Sequence, residues 1–366
     1  MAQTRSGIRH LLRRDASRFE AYPAPEPLEE FARSVGVDPG DVLKLDQNEN
    51  PYGCSPRVIE ALQSYNWFHV YPDPLHRVLR DRLGQYAGVP PSQIIVGNGS
   101  DELIELILHL FVEPGDRVLS AGPTFGYYAT AASAVGADYH LVSRGPRFEV
   151  DSDLVRAAVN DRTKVLFLAS PNNPTGNATP LSVIRELLAL DVVVVVDEAY
   201  FEFHGHSAVE LLGAGSENLV VLRTFSKWAG LAGVRLGYGI FPEDVTSAAL
   251  SLKPPYSVSQ TAEVAGLASL DDLDYLKANV QRILAERERL AEGLAATGFL
   301  VPYPSDANFI LCEVVGKSAA EVQEALARRA ILVRRYEGPR LENCLRISVG
   351  RPDQTDRLLN TLRDVA

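Results

Sequence analysis

Hydrophobic positions along the chain fall into two successive patterns. From Ile94 onward, short apolar runs recur at Ile94–Val96, Arg117–Ser120, Lys164–Ala169, Val192–Val196, Leu219–Leu222 and Leu236–Ile240. Apolar or amphipathic helical stretches, such as Leu103–Phe111 and Val183–Leu190, lie between several of them. Short strands alternating with helices predict crossover units and a mostly parallel sheet. The five valines of Val192–Val196 show no polar alternation, which predicts a central strand buried on both faces. Later the pattern changes. Leu276, Val280, Ile283, Leu284, Leu290 and Leu294 follow helical spacing with Arg and Glu between them, predicting a long surface helix. Phe309–Glu313, Ile331–Arg334 and Leu345–Val349 then predict three strands of a smaller α+β domain. Residues 21–52, rich in proline and glycine, read as an extended connecting segment.

Composition narrows the classes. A chain of 366 residues fits two domains and buries a large core without staples. Its net charge of −11 argues against nucleic acid as a partner, because an acidic surface repels phosphate backbones. Cys54, Cys312 and Cys344 are far apart and form no CxxC pair, so neither a metal site nor a disulfide framework is expected. The N-terminus has no apolar signal core, since Ile8, Leu11 and Leu12 sit among arginines, and no run approaches a membrane span. The expected location is the cytoplasm.

Candidate chemistry collects at strand ends. Only six lysines stand against thirty arginines; five sit beside strongly polar or proline neighbours or in helical surface patterns, whereas Lys227 precedes the stretch Trp228 to Gly233. A lysine in apolar company loses hydration, its pKa falls and its neutral amine becomes nucleophilic. Asp197 ends the valine strand, where ligands of open α/β sheets collect; it suits a cationic partner or a helix N-cap. Ser170-Pro171-Asn172-Asn173-Pro174-Thr175-Gly176 is a turn that offers the Asn173 amide. Gly97-Asn98-Gly99-Ser100-Asp101-Glu102 follows a strand and opens a helix, so its backbone N–H groups suit a phosphate. Arg235 lies eight residues after Lys227 and offers a fixed charge to the same anion. Singly, each of these has an ordinary structural reading.

Together they form an ordered series, and with it SPNNPTG, VVVVVDEAY, TFSKWAGLAGVRLGY and CLRISVG. The series resembles the fold-type I pyridoxal phosphate aminotransferases from about Tyr22 to Gly350. Asn48-Glu49-Asn50-Pro51-Tyr52-Gly53 and Tyr71-Pro72-Asp73-Pro74 are similar to the histidinol-phosphate aminotransferase branch. The resemblance implies an α/β large domain around a seven-stranded, mostly parallel sheet over residues 48–255, and a small α+β domain over 256–366. Residues 1–47 would supply an arm and part of the small domain.

The resemblance also implies roles. Lys227 would hold pyridoxal 5'-phosphate as a Schiff base and later carry the proton. Asp197 would keep the pyridine nitrogen protonated, Asn173 and Tyr200 would bond the phenolic oxygen, and Phe125 would stack on the ring. Gly99, Ser100, Asp101, Thr224, Ser226 and Arg235 would hold the phosphate, joined by Tyr71 from a partner subunit in a homodimer with shared active sites. Arg346 and Arg334 would take the carboxylate of glutamate or 2-oxoglutarate and the phosphate of histidinol phosphate, with Tyr22 and Asn308 close by. Aromatic amino acid transamination, threonine-phosphate decarboxylation and a non-enzymatic regulatory module are the alternatives. The last would need a fused DNA-binding domain, for which residues 1–20 are too short.

Overall fold

A computed structural model describes residues 8–13, 26–213 and 216–365. The strands, in chain order, are β1 (Leu43–Leu45), β2 (Ile94–Gly97), β3 (Arg117–Gly122), β4 (Asp138–Ser143), β5 (Thr163–Ala169), β6 (Val193–Asp197), β7 (Leu219–Thr224), β8 (Gly237–Ile240), β9 (Leu300–Pro302), β10 (Phe309–Val314), β11 (Ile331–Arg335) and β12 (Cys344–Ser348). Seven of them form one sheet in the order β2-β8-β7-β6-β5-β3-β4. Only β8 runs antiparallel to its neighbours β2 and β7.

Every strand near the centre is apolar on both sides. Val194 and Val196 of β6 enter one core, and Val195 enters the other. Leu166 and Leu168 of β5 likewise oppose Val165 and Phe167. This is the period of two along a strand, with helices covering both faces. The valine run therefore sits where its lack of alternation placed it.

The parallel order puts the carboxyl ends of β5, β6 and β7 side by side. Asn173 follows the first, Asp197 ends the second and Thr224 ends the third. The antiparallel β8 adds a further element to that edge. Its first residue, Gly237, pairs with both Gly97 and Thr224, which brings Arg235 beside the Gly99 turn. A Cβ on Gly237 would lie 2.6 Å from the carbonyl carbon of Gly99 and the nitrogen of Ser100, so this close approach requires glycine.

The second sheet is five-stranded, ordered β1-β11-β12-β10-β9. Three of its strands follow the later apolar runs; two do not. β1 arises inside the stretch read as a connector, which also forms a helix at Leu28–Val35. Phe31 and Ala32 bury that helix, and Leu43 and Leu45 bury β1, with too few apolar positions to stand out from the surrounding Pro and Gly. β9 carries a proline, and β4 of the large sheet buries only Val142; both are edge strands with weak patterns. The long helix spans Leu273–Ala295. Among the described residues, no helix is long and apolar enough to cross a membrane, and no His, Cys, Asp and Glu cluster could hold a metal.

Candidate active site

A cavity of about 790 Å³ opens at the carboxyl edge of the large sheet, against the small sheet. Twelve residues singled out from the sequence line it: Ser100, Asp101, Phe125, Asn173, Asp197, Tyr200, Thr224, Ser226, Lys227, Arg235, Arg334 and Arg346.

Lys227 projects into the cavity, where Nζ donates to the backbone oxygen of Gln47 at 3.0 Å. Burial lowers its pKa to about 8; the Arg346 and Arg235 charges push the same way, and Glu49 opposes. Asp197 is buried at the end of β6. Its Oδ2 accepts the Tyr128 hydroxyl at 2.7 Å, and its Oδ1 accepts the Ala199 N–H at 3.1 Å. No cation among the described residues lies within ion-pair range of it. Burial raises its pKa to about 6 despite those two donors. Tyr200 is buried too, and its hydroxyl accepts from Asn48 Nδ2 at 3.0 Å. Burial pushes that phenol up to about 12, opposed by Arg346 and by the Asn48 bond.

The helix Gly99–Phe111 points its N-terminus at the cavity, and Asn98 provides no side-chain cap. Gly99 lies just behind the lining, at φ +74°, packed on the Arg235 guanidinium. Arg235 bonds Asp101 at 2.8 Å, and Thr224 Oγ1 donates to Ser226 Oγ at 2.9 Å. Free helix N–H groups, two hydroxyls and a guanidinium thus meet at one place, the donor set an anion needs.

At the other end of the cavity, Arg334 and Arg346 stand directly opposite each other on β11 and β12. Arg346 is buried. It donates to the Asn173 side-chain oxygen and the Asp46 backbone oxygen, and its Nε has no partner. No carboxylate among the described residues lies within 4 Å of either guanidinium. Like charges directly across a ladder repel, so this pair calls for an anion from solution.

Four expected residues sit elsewhere. Asn308 is fully buried and donates to the Asn48 backbone oxygen at 3.0 Å, one layer behind the lining. Tyr71 is 78% exposed and tilts against Tyr256, outside this cavity. Gly99 is described above. Tyr22 lies outside the described residues. Sequence reasoning assigned no role to Asn48 or Tyr128. Asn48 has φ 55°, a backbone region that asparagine tolerates, and it links Ser348, Asn308 and Tyr200 across the two sheets. The Asn-Glu-Asn-Pro run was its only signal. Tyr128 gave none, because a tyrosine on an apolar helix reads as core.

A seven-stranded sheet with a lysine, an aspartate and a phosphate-type turn at its carboxyl edge defines a class, and the comparisons agree. The sequence profile described as Aminotransferase class I and II matches residues 40–362. The chain belongs to this family, whose cofactor is pyridoxal phosphate. It is 47% identical to a protein of Roseiflexus castenholzii named histidinol-phosphate aminotransferase, over 99% of this chain and all of the relative. It is 43% identical to the chloroplastic histidinol-phosphate aminotransferase 1 of Arabidopsis thaliana, over 94% of this chain and 83% of that one. The crystal structure of the Sinorhizobium meliloti histidinol-phosphate aminotransferase with pyridoxal-5'-phosphate superposes with a TM-score of 0.84 at 27% identity, over 95% of this chain and all of the other.

Proposed function

We propose that this protein transfers the amino group of L-histidinol phosphate to 2-oxoglutarate, giving imidazole-acetol phosphate and glutamate, in histidine biosynthesis. The observation that carries the substrate reading is the Arg334–Arg346 pair, two guanidiniums in register with no carboxylate partner among the described residues. Histidinol phosphate brings a phosphate to it; glutamate and 2-oxoglutarate bring a carboxylate. One cationic patch then serves both halves of the reaction, since a planar guanidinium receives either anion through paired hydrogen bonds.

The cofactor site fits pyridoxal phosphate on the residues present. Asp197 is a buried carboxylate with no cation beside it among the described residues, and a protonated pyridine nitrogen is one. Bound pyridoxal phosphate supplies an aldehyde that captures amines and a ring that takes up electrons. Lys227 Nζ, whose proton burial weakens, would be the nucleophile for that aldehyde, and its freed amine would carry the proton from the substrate Cα to the carbon that was the aldehyde. Asn173 and Tyr200 offer hydrogen bonds to the phenolic oxygen, and Phe125 offers a ring face. Ser100, Asp101, Thr224, Ser226 and Arg235 would hold the phosphate.

The protein acts as a cytoplasmic homodimer in this reading. Trp67, Phe68, Val70 and Tyr71 leave an apolar segment exposed on one face, with Tyr256 beside it. Such a patch suits a second copy, into whose phosphate site Tyr71 would reach. Sedimentation of the protein as a monomer at micromolar concentration removes this part.

The substrate is tested by offering the loaded enzyme histidinol phosphate, phenylalanine, tyrosine and O-phosphothreonine separately with 2-oxoglutarate. Glutamate should form fastest with histidinol phosphate. A strong response to tyrosine or phenylalanine with none to histidinol phosphate would sink the proposal, and carbon dioxide from O-phosphothreonine would point to a decarboxylase.

A further inference from the structure

Tyr128 stands in the first turn of the helix Tyr127–Ala134 and is completely buried. Its ring lies flat on Phe167 of β5, with centroids 4.7 Å apart and planes 7° from parallel. It meets Phe125 edge-on at 5.5 Å and 90°. A phenylalanine would fill this core site equally well. A buried hydroxyl is costly unless it is bonded, and among the described residues this one bonds only Asp197 Oδ2, to which it donates at 2.7 Å.

That bond matters for where the carboxylate points. Asp197 is held by two donors from different elements: the Ala199 N–H beyond the end of its own strand, and the Tyr128 hydroxyl from the helix that follows β3. Together they fix the carboxylate's plane. Each oxygen keeps lone-pair capacity, and Asp197 lines the cavity beside Phe125.

We propose that Tyr128 is a positioning residue for the cofactor ring: its hydroxyl holds Asp197 ionised and aimed at the ring nitrogen, while its ring sets Phe125 against the ring face. The proposal rests on the reading of this cavity as a pyridoxal phosphate site. Its chemical content is a proton location. A donor on a carboxylate stabilises the anion, so the proton shared between Asp197 and the ring nitrogen stays on nitrogen. Without the donor it moves toward Asp197, and the ring loses its positive charge. Other groups face this pair. Asp101 and Glu198 raise the proton affinity of Asp197, Tyr139 and Tyr200 lie near Tyr128, and Arg144 faces it from the end of β4. Substituting Tyr128 leaves all of them in place.

The test is Tyr128→Phe in the full chain, loaded with pyridoxal phosphate labelled with ¹⁵N in the ring. The ring ¹⁵N chemical shift should move toward that of neutral pyridine while the covalent link to Lys227 still forms. Cofactor dissociation, titrated by absorbance, should become about tenfold more favourable, the scale of one charge-assisted hydrogen bond. The pH below which affinity falls should move upward. Placing 3-fluorotyrosine at position 128, a more acidic donor of nearly the same shape, should shift the ¹⁵N signal the opposite way; this serves even if the phenylalanine variant fails to fold. A wild-type ¹⁵N shift and affinity in Tyr128→Phe overturns the proposal, whatever happens to its melting temperature. So does a shift in the same direction for both substitutions. If the unsubstituted protein takes up no pyridoxal phosphate at Lys227, the site reading itself fails.

Discussion

Asp197 and Glu198 are neighbours at the end of one strand, both buried, and they live in opposite electrostatic worlds. Glu198 accepts from Arg223 Nε at 2.9 Å, from the Ser207 hydroxyl, which lies 2.8 and 3.0 Å from its two oxygens, and from the Ala208 N–H at 2.6 Å. Arg223 in turn stacks over Phe201 at 3.8 Å. Every demand of that carboxylate is met inside the protein. Asp197, turned to the cavity, has two neutral donors and no cation among the described residues. The same chemical group is thus a closed structural pair on one side of the chain and an open valence on the other. A ligand site is recognised by the demand the fold leaves unmet.

The largest effect tests whether the open side is chemical at all. Lys227→Ala should abolish the covalent cofactor link and lower turnover on the order of 10⁴-fold or more, with folding retained. Absorbance of the loaded protein and single-turnover kinetics measure this; full activity would remove the central assignment. Asp197→Asn should cost about 10²–10³-fold in turnover, as for other electrostatic contacts to a reacting group. Its stability should move the other way. The folded pKa of Asp197 is raised to about 6, above its ordinary value, so its favourable contribution exists below that ordinary value and is lost as pH rises through 6. At pH 8 the cofactor-free protein therefore carries a penalty of up to about 3 kcal/mol, which the amide removes less any weakened hydrogen bonds. Glu198→Gln should do the reverse: a loss of about 3–5 kcal/mol from a broken buried pair, with the chemistry of the folded fraction nearly intact. Denaturant titrations of the two variants at pH 8 compare them directly. Equal destabilisation by both would erase the distinction between the two acids.

The arginine pair sharpens the comparison at the other end of the cavity. Arg346 already has two neutral partners, yet among the described residues its Nε has no hydrogen-bond partner and no carboxylate faces its charge. Arg346→Ala should raise KM for both histidinol phosphate and glutamate by about 10–100-fold, the worth of charge-assisted hydrogen bonds. A change for glutamate alone would mean that phosphate and carboxylate use separate sites.

How much of this was legible follows from the same contrast. Lys227, Asp197, Asn173 and the Gly99 turn each lie next to an apolar run, so the strand pattern carried them to one edge of the sheet. Nothing local distinguishes Asp197 from Glu198, because their difference is made by Arg223 and Ser207, which the fold brings in from later segments. The cross-strand opposition of Arg334 and Arg346 depends on the register of β11 against β12, and no local pattern encodes that pairing. Asn308 is a similar case: the structure places it behind the lining, with its NH2 group on the Asn48 backbone oxygen, a contact between segments far apart in the chain. β1, β4 and β9 were illegible for a simpler reason, since short or edge strands bury too few side chains to leave a period.

The smallest effect separates the two acids by pH. Cofactor uptake needs a neutral Lys227 amine and an ionised Asp197. Burial depresses the first to about 8 and raises the second to about 6. The uptake rate should therefore climb in two steps as pH rises, one near 6 and one near 8, with roughly a tenth of the amine neutral at pH 7. Stopped-flow absorbance at fixed pyridoxal phosphate concentration records the profile, corrected for the cofactor's own titration with a simple amine. Asp197→Asn should erase the lower step and keep the upper one. Glu198→Gln should keep both, because that side chain bonds Arg223, Ser207 and Ala208 and does not line the cavity. A lower step that disappears with Glu198 and survives the loss of Asp197 would reverse the assignment of the open and the closed acid.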